Sequence, residues 1–233
     1  MEDLLRAGFD ELGVPLERDA LRRFRLYYDL LMERNRVINL TAITGEREVV
    51  LLHFLDCAAL LRAAHLNNAS VVDVGSGAGF PGLALKIAEP SIRLTLLDSL
   101  GKRVDFLSGT CQKLGFSDVS CLCLRAEESP AELRESFDFA VSRAVAPLNI
   151  LCELCMPLVS QGGLFLAMKG KNASEELTEA QNAIAALGGG SSDIFFYRIP
   201  LSDITHAVVR VKKVSPTPAA YPRRFAKIQK SPL

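Results

Sequence analysis

Apolar residues recur along this chain with two different periods, and the change of period divides it. Leu4, Leu5, Phe9 and Leu12 stand at helical spacing. After Gly13-Val14-Pro15, a second stripe of Leu21, Phe24, Tyr28 and Leu31 predicts a longer helix, with Arg22, Arg23, Arg25 and Arg34 on its other faces. Residues 35–41 are too rich in asparagine and β-branched side chains to stay helical, and a helix resumes over 45–64. From Ala69 onward short β-rich runs alternate with helical ones. Strands are predicted over 70–74, 92–97, 119–124, 137–142 and 163–168, and helices over 81–88, 101–114, 146–158 and 174–187. Such alternation predicts a parallel sheet with right-handed crossovers. Beyond Gly188-Gly189-Gly190, runs over 194–199 and 205–212 are too close in sequence for a crossover. They predict a hairpin, so the final strand enters antiparallel. Pro216, Pro218 and Pro222 interrupt regular structure in the tail. The chain therefore reads as an N-terminal helical cap (1–66), an α/β sheet domain (67–214) and a C-terminal tail (215–233).

Within this frame one stretch carries chemistry. The run Val71-Val72-Asp73-Val74 leads into Gly75-Ser76-Gly77-Ala78-Gly79-Phe80-Pro81-Gly82. Glycines without Cβ permit a tight turn and let a ligand lie against the main chain, and Pro81 suits the first turn of a helix. A strand, a glycine turn and a helix form the nucleotide-binding corner of an open α/β sheet. The dinucleotide pattern G-x-G-x-x-G is absent, because Phe80 occupies the third glycine's place. The pattern present, D-x-G-x-G-x-G, resembles motif I of S-adenosylmethionine-dependent methyltransferases. Asp98 follows 23 residues after Gly75, at the end of the next predicted strand, where an acid can accept two ribose hydroxyls. Five parallel strands closed by a hairpin match the class I S-adenosylmethionine-dependent methyltransferase architecture, a Rossmann-like mixed sheet.

Charge adds a direction. The chain has 27 basic and 27 acidic residues, but residues 204–233 contain seven Lys or Arg and no acid, which leaves −7 on the first 203. A basic end facing nucleic acid and a solvated basic tail both fit that asymmetry. No apolar run reaches the roughly 18–20 residues of a membrane span, and no signal-peptide pattern opens the sequence, so a cytoplasmic protein is expected. The pairs Cys121-x-Cys123 and Cys152-x-x-Cys155 lie inside apolar elements rather than on turns, so they read as core thiols and no metal site is expected.

Several separate stretches together resemble the bacterial small-subunit ribosomal RNA guanine-N7 methyltransferases, the glucose-inhibited division protein B family. They are Asn35-x-x-x-Asn39-Leu40-Thr41, His53-x-x-Asp56, Asp73 to Gly82, Leu96-Leu97-Asp98-Ser99 with Lys102-Arg103, Arg125-Ala126-Glu127, Ser142 to Ala146, Met168-Lys169-Gly170 and Tyr221-Pro222-Arg223-Arg224. The resemblance implies S-adenosyl-L-methionine as cofactor and 16S ribosomal RNA or the small ribosomal subunit as partner, with a monomeric enzyme methylating a guanine of the 530 loop at N7. It places cofactor contacts on Gly75, Gly77, Phe80, Asp98, Ala126, Glu127 and Arg143. The Arg143 guanidinium is suited to hold either the methionine carboxylate or an RNA phosphate in a forked pair. Arg143 and Asp56 are the expected catalytic groups, Asp56 by stabilising the cationic product ring. His53, Lys169, Arg223 and Arg224 are the expected RNA contacts. Two positions depart from the family pattern: Cys57 replaces a serine, and Phe225-Ala226 replaces a proline-glycine pair.

Two other functions share parts of this pattern. An NAD(P)-dependent oxidoreductase would use a similar sheet, but Phe80 and the terminal hairpin argue against it. A non-catalytic cofactor- or RNA-binding module could keep the fold, but the intact glycine loop, Asp98 and Arg143 together argue against it.

Overall fold

The computed structural model describes all residues 1–233. Seven strands are present: β1 Ser70–Val74, β2 Arg93–Asp98, β3 Ser120–Cys123, β4 Phe137–Arg143, β5 Val159–Lys169, β6 Gly189–Arg198 and β7 Thr205–Lys213. They lie in the order β3-β2-β1-β4-β5-β7-β6. The first five are parallel, and β7 pairs antiparallel with both β5 and β6, as the short connection before β7 requires. Chain order reverses between β1 and β4, so the crevice outside their carboxyl ends is the topological switch point.

Helix α1 is Glu2–Leu12 and α2 is Arg18–Asn35. The next helical segment, α3 (46–63), contains a π-helical stretch, Val50–Leu55. After the sheet begins come α4 Gly82–Ala88, α5 Gly101–Lys113, α6 Leu148–Cys155, α7 Ala173–Glu179 and α8 Gln181–Ala186. A short helix, α9 Phe225–Lys230, follows the prolines of the tail, where the sequence predicted no regular structure. The predicted helix over 174–187 is broken at Ala180. Gly189, read as part of a glycine break, is the first residue of β6, which shifts register between Gly189 and Ser192.

Alternation along β1 sends its side chains to two cores. Val71 packs with Leu96, Val141 and Leu166 against α1, α2 and α3, so the N-terminal helices share one apolar core with a face of the sheet. Val72 and Val74 point the other way, to Phe165, Val209 and the residues of α6 and α8. Helix α3 is buried on nearly every side, from Val49 to Leu60, as expected of a segment apolar all round. The tail is tied down by Arg134, whose guanidinium donates to the carbonyls of Thr217 (2.6 Å) and Tyr221 (2.8 Å). Cys152 and Cys155 lie in the core as predicted, but Cys121 is half-buried and Cys123 exposed, because β3 is the sheet's edge strand.

Candidate active site

A cavity of about 370 Å³ opens at the switch point, lined on one side by Gly75 to Ala78, Phe80, Asp98, Ser99 and Arg103. Its first wall is backbone. Gly75 has φ 76° and Gly79 has φ 102°, conformations that L side chains rarely adopt. A methyl group on Gly79 would stand 2.6 Å from the hydroxyl of Tyr27, which itself donates to the Ala78 carbonyl at 2.6 Å. Helix α2 thus braces the glycine loop.

Two acids fix that loop from below. Asp98 Oδ2 accepts the Gly77 N–H (2.9 Å) and Oδ1 accepts the Leu100 N–H (2.9 Å), while the side chain is 3% exposed. Arg103, on the cavity rim, lies 3.5 Å from Oδ2. Asp73 Oδ2 accepts the Gly82 N–H at the start of α4 (2.8 Å), whereas its Oδ1 is buried with no partner. Burial pushes the Asp73 carboxyl up to about 7.

The opposite wall is built of side chains, and Leu40, Thr41, His53, Arg143, Ala144 and Val145 form it. Asn35 shapes the turn that carries Thr41: its Oδ1 accepts the N–H groups of Leu40 (2.7 Å) and Thr41 (2.9 Å), and its Nδ2 donates to the Thr41 carbonyl. Arg143 Nη1 donates to the Leu52 carbonyl (2.9 Å) and to Asp56 Oδ2 (3.2 Å), and Nη2 lies 2.8 Å from His53 Nδ1. His53 Nδ1 also lies 3.0 Å from the Leu52 carbonyl, and it serves one of the two, as acceptor to the guanidinium or as donor to the carbonyl. On the other side of the ring, Nε2 is hydrogen-bonded to the Thr41 hydroxyl at 2.9 Å. Burial, assisted by the Arg143 charge, pulls the His53 pKa down to about 4, in keeping with a neutral ring. The ring stacks on Phe80 with centroids 4.3 Å apart, and the Arg143 guanidinium lies 5.1 Å from the same ring. Ala144, with φ 57°, turns the chain after β4 and leaves Val145 half-exposed above Gly75.

The profile of the GidB family, described as rRNA small subunit methyltransferase G, matches residues 20–200. The chain belongs to this family. It is 44% identical to the Ribosomal RNA small subunit methyltransferase G of Alkaliphilus metalliredigens, over 99% of this chain and 98% of that one. Among solved structures, a putative S-adenosyl-l-methionine-dependent methyltransferase from Methanococcus maripaludis superposes with a TM-score of 0.58 at 14% identity, covering 81% of this chain and 92% of that one. TYW2 of M. jannaschii, in complex with AdoMet, gives a TM-score of 0.55 at 11% identity, covering 73% and 77%. These likenesses show the class I methyltransferase fold.

The cofactor of this GidB member is S-adenosylmethionine, and the residues present fit it. Asp98 Oδ1 accepts a single backbone N–H and so keeps a lone pair for a hydroxyl donor, while Oδ2 also faces the Arg103 guanidinium. The glycine loop from Gly75 to Ala78 presents mostly main chain to the cavity.

The predicted residues divide by position. Gly75, Gly77, Phe80, Asp98, His53 and Arg143 meet in the cavity. Ala126 and Glu127 lie on the turn after β3, at the carboxyl edge but outside the lining, with Ala126 packed beside Val74 and Leu97. Asp56 does not reach the cavity: it is buried behind Arg143. Lys169 and Arg223 differ from the solvent-directed cations expected. The Lys169 ammonium bonds Glu176 (2.7 Å) and the Ala146 carbonyl, and Arg223 forms a forked pair with the fully buried Glu153 (2.8 and 2.6 Å). Each neutralises an acid within the fold. The basic end is likewise partly consumed, since Arg210 pairs with Asp193 and buried Lys213 with Glu135. Arg224, Lys227 and Lys230 remain exposed. Cys57 lies in the core, where burial raises its thiol to about 12. Sequence reasoning missed Thr41 and Val145 as lining residues, although both stood within motifs it singled out.

Proposed function

We propose that the chain transfers the methyl group of S-adenosylmethionine to N7 of a guanine in 16S ribosomal RNA, with the 530 loop as target, acting as a monomer in the cytoplasm. The observation that carries this reading is one cavity with two unlike walls: a backbone cradle with a hydroxyl-binding acid, facing a packed His53–Phe80–Arg143 cluster. The first wall suits a nucleoside cofactor. The second offers a flat, cationic surface against which a base can lie. The family name supports ribosomal RNA of the small subunit as substrate.

When bound, the cofactor supplies a methyl group made electrophilic by its sulfonium. Guanine N7 has a free lone pair, so no proton must leave before the new bond forms, and the chain needs no general base. Its residues then act by alignment, which contributes roughly 7–11 kcal/mol in well-oriented reactions. In this reading Gly75, Gly77 and Asp98 hold the methionine and ribose parts, Phe80 packs against an apolar face, and Ala126 and Glu127 meet the adenine. Arg143 binds the methionine carboxylate or an RNA phosphate. Asp56 acts through Arg143, whose guanidinium it holds in place from behind the cavity wall. His53 meets the base, and Arg224, with Lys227 and Lys230, meets phosphates.

Incubation with methyl-labelled cofactor and small-subunit RNA or particles, followed by nuclease digestion and mass spectrometry, tests the reading. Label on a single 7-methylguanosine is expected. Label on another base or ring atom, or none on RNA or particles, overturns it.

A further inference from the structure

The polar chain behind the cavity wall does not stop at Asp56. One carboxylate oxygen of Asp56, Oδ2, takes the Arg143 guanidinium at 3.2 Å. The other, Oδ1, accepts two hydrogen bonds from the strands at the sheet's β6 edge: the Tyr197 hydroxyl at 2.7 Å and His206 Nδ1 at 2.9 Å. Tyr197 on β6 and His206 on β7 are register partners across the antiparallel hairpin, so their side chains share a face and converge on one atom. Neither lines the cavity. Asp56 is 3% exposed, and a buried carboxylate of this kind is tolerated only where donors surround it.

The consequence lies in which donors of Arg143 stay free. Nη1 is occupied by the Leu52 carbonyl and Asp56, and one N–H of Nη2 faces His53 Nδ1 at 2.8 Å. The edge formed by Nε and the remaining Nη2 hydrogen has no partner within the chain, and it belongs to a residue of the cavity wall. A carboxylate torsion is broad and roughly two-fold, and two donors are needed to fix Oδ1, so with either one removed Asp56 would swivel between its neighbours and take the guanidinium with it.

We propose that Tyr197 and His206 are positioning residues for methyl transfer: by occupying Oδ1 of Asp56 they leave Oδ2 to Arg143, and so hold the guanidinium with its forked edge open to an anionic or carbonyl group of the bound reactants. The antiparallel hairpin thereby has a task besides closing the sheet. This inference rests on the methyltransferase reading above for the identity of the reactants. The locking of the guanidinium is a property of the chain alone.

Four variants test it: Tyr197→Phe, His206→Ala, the double variant, and His206→Asn, whose amide nitrogen can stand where Nδ1 does. Two readouts are taken. In the first, 15N NMR follows the Arg143 side chain without any substrate. Wild type and His206→Asn should show slow rotation of the guanidinium, with separate Nη signals, and the other three should show averaged signals. In the second, kcat/KM on small-subunit RNA or particles should fall about tenfold in Tyr197→Phe and in His206→Ala. The double variant should fall about as far as either single one, because both act through one oxygen, and His206→Asn should recover most of the rate. Unaltered Arg143 signals in Tyr197→Phe and His206→Ala overturn the proposal, as do rate losses that multiply or that His206→Asn does not repair. Locked signals in a wild-type protein that labels no RNA would instead contradict the substrate reading and leave the locking intact.

Discussion

The carboxylate of Asp98 accepts the backbone N–H of Gly77 at 2.9 Å, so the end of the second strand is tied directly to the glycine loop after the first. One acid therefore shapes the loop and presents lone pairs to the cavity. Asp98→Ala removes both roles, and Asp98→Asn places an amide N–H against one of the two backbone donors at Gly77 and Leu100. Both variants should bind S-adenosylmethionine more than about tenfold weaker, roughly 1.4 kcal/mol or more. Isothermal titration calorimetry measures this directly, and wild-type affinity in Asp98→Ala would contradict the assignment.

The glycine loop should respond unequally to a single methyl group. At Gly79 a Cβ meets the Tyr27 hydroxyl at 2.6 Å and Leu83 and Leu107 at 3.1 Å, at φ 102°. The hydroxyl is held by the Ala78 carbonyl and the leucines are core, so nothing yields. Gly79→Ala should lose about 3 kcal/mol of stability. At Gly75 the obstacle is Val145 Cγ2, a half-exposed side chain that can swing away. Gly75→Ala should lose about 1 kcal/mol, from its φ alone, and should chiefly weaken cofactor binding. Denaturant unfolding and calorimetry separate the two.

His53 makes stability depend on pH. Its imidazole ionises near 4 in the folded protein, against an ordinary value of 6.5. Between those values the unfolded chain takes up a proton that the folded ring refuses, so stability rises with pH across this window. The contribution is complete above pH 6.5 and is lost as pH falls towards 4. At pH 5 the loss should be about 2 kcal/mol. Urea unfolding at pH 7 and pH 5 should therefore show a larger drop in wild type than in His53→Gln, and equal drops would sink the idea.

Two adjacent arginines should behave oppositely. Arg223→Ala leaves the buried Glu153 carboxylate without its forked partner, which should destabilise by about 3–5 kcal/mol. Arg224 is exposed. Its replacement by Ala should leave the melting temperature unchanged and reduce the salt dependence of RNA binding by about one counterion. Thermal unfolding and filter binding over a range of salt concentrations check both halves.

Local patterning made much of the site legible. The run Val71 to Val74, the glycines after it and Asp98 are each specified within a few residues by strand periodicity and turn chemistry, and they meet because consecutive parallel strands place their carboxyl ends together. The hairpin was equally plain, since Ile199 and Thr205 leave no room for a crossover. Asp56, Lys169 and Arg223 were not. A charged residue on a helix, at a strand end or in a tail looks solvated until its partner is known, and their partners lie 87, 7 and 70 positions away in the chain. Even the short separation of Lys169 and Glu176 spans a strand end and a helix.

By itself, then, the amino-acid sequence determined the alternation of strands and helices, the antiparallel closure and the cofactor loop, because each follows from short-range periodicity and from what glycine and proline allow. Only the tertiary structure decided which charges are free and which are committed. Desolvation forces every buried ion to find a counter-charge or donors, and those partners come from whatever the fold brings alongside. Tyr197 and His206 reach Asp56 from the far end of the chain for that reason.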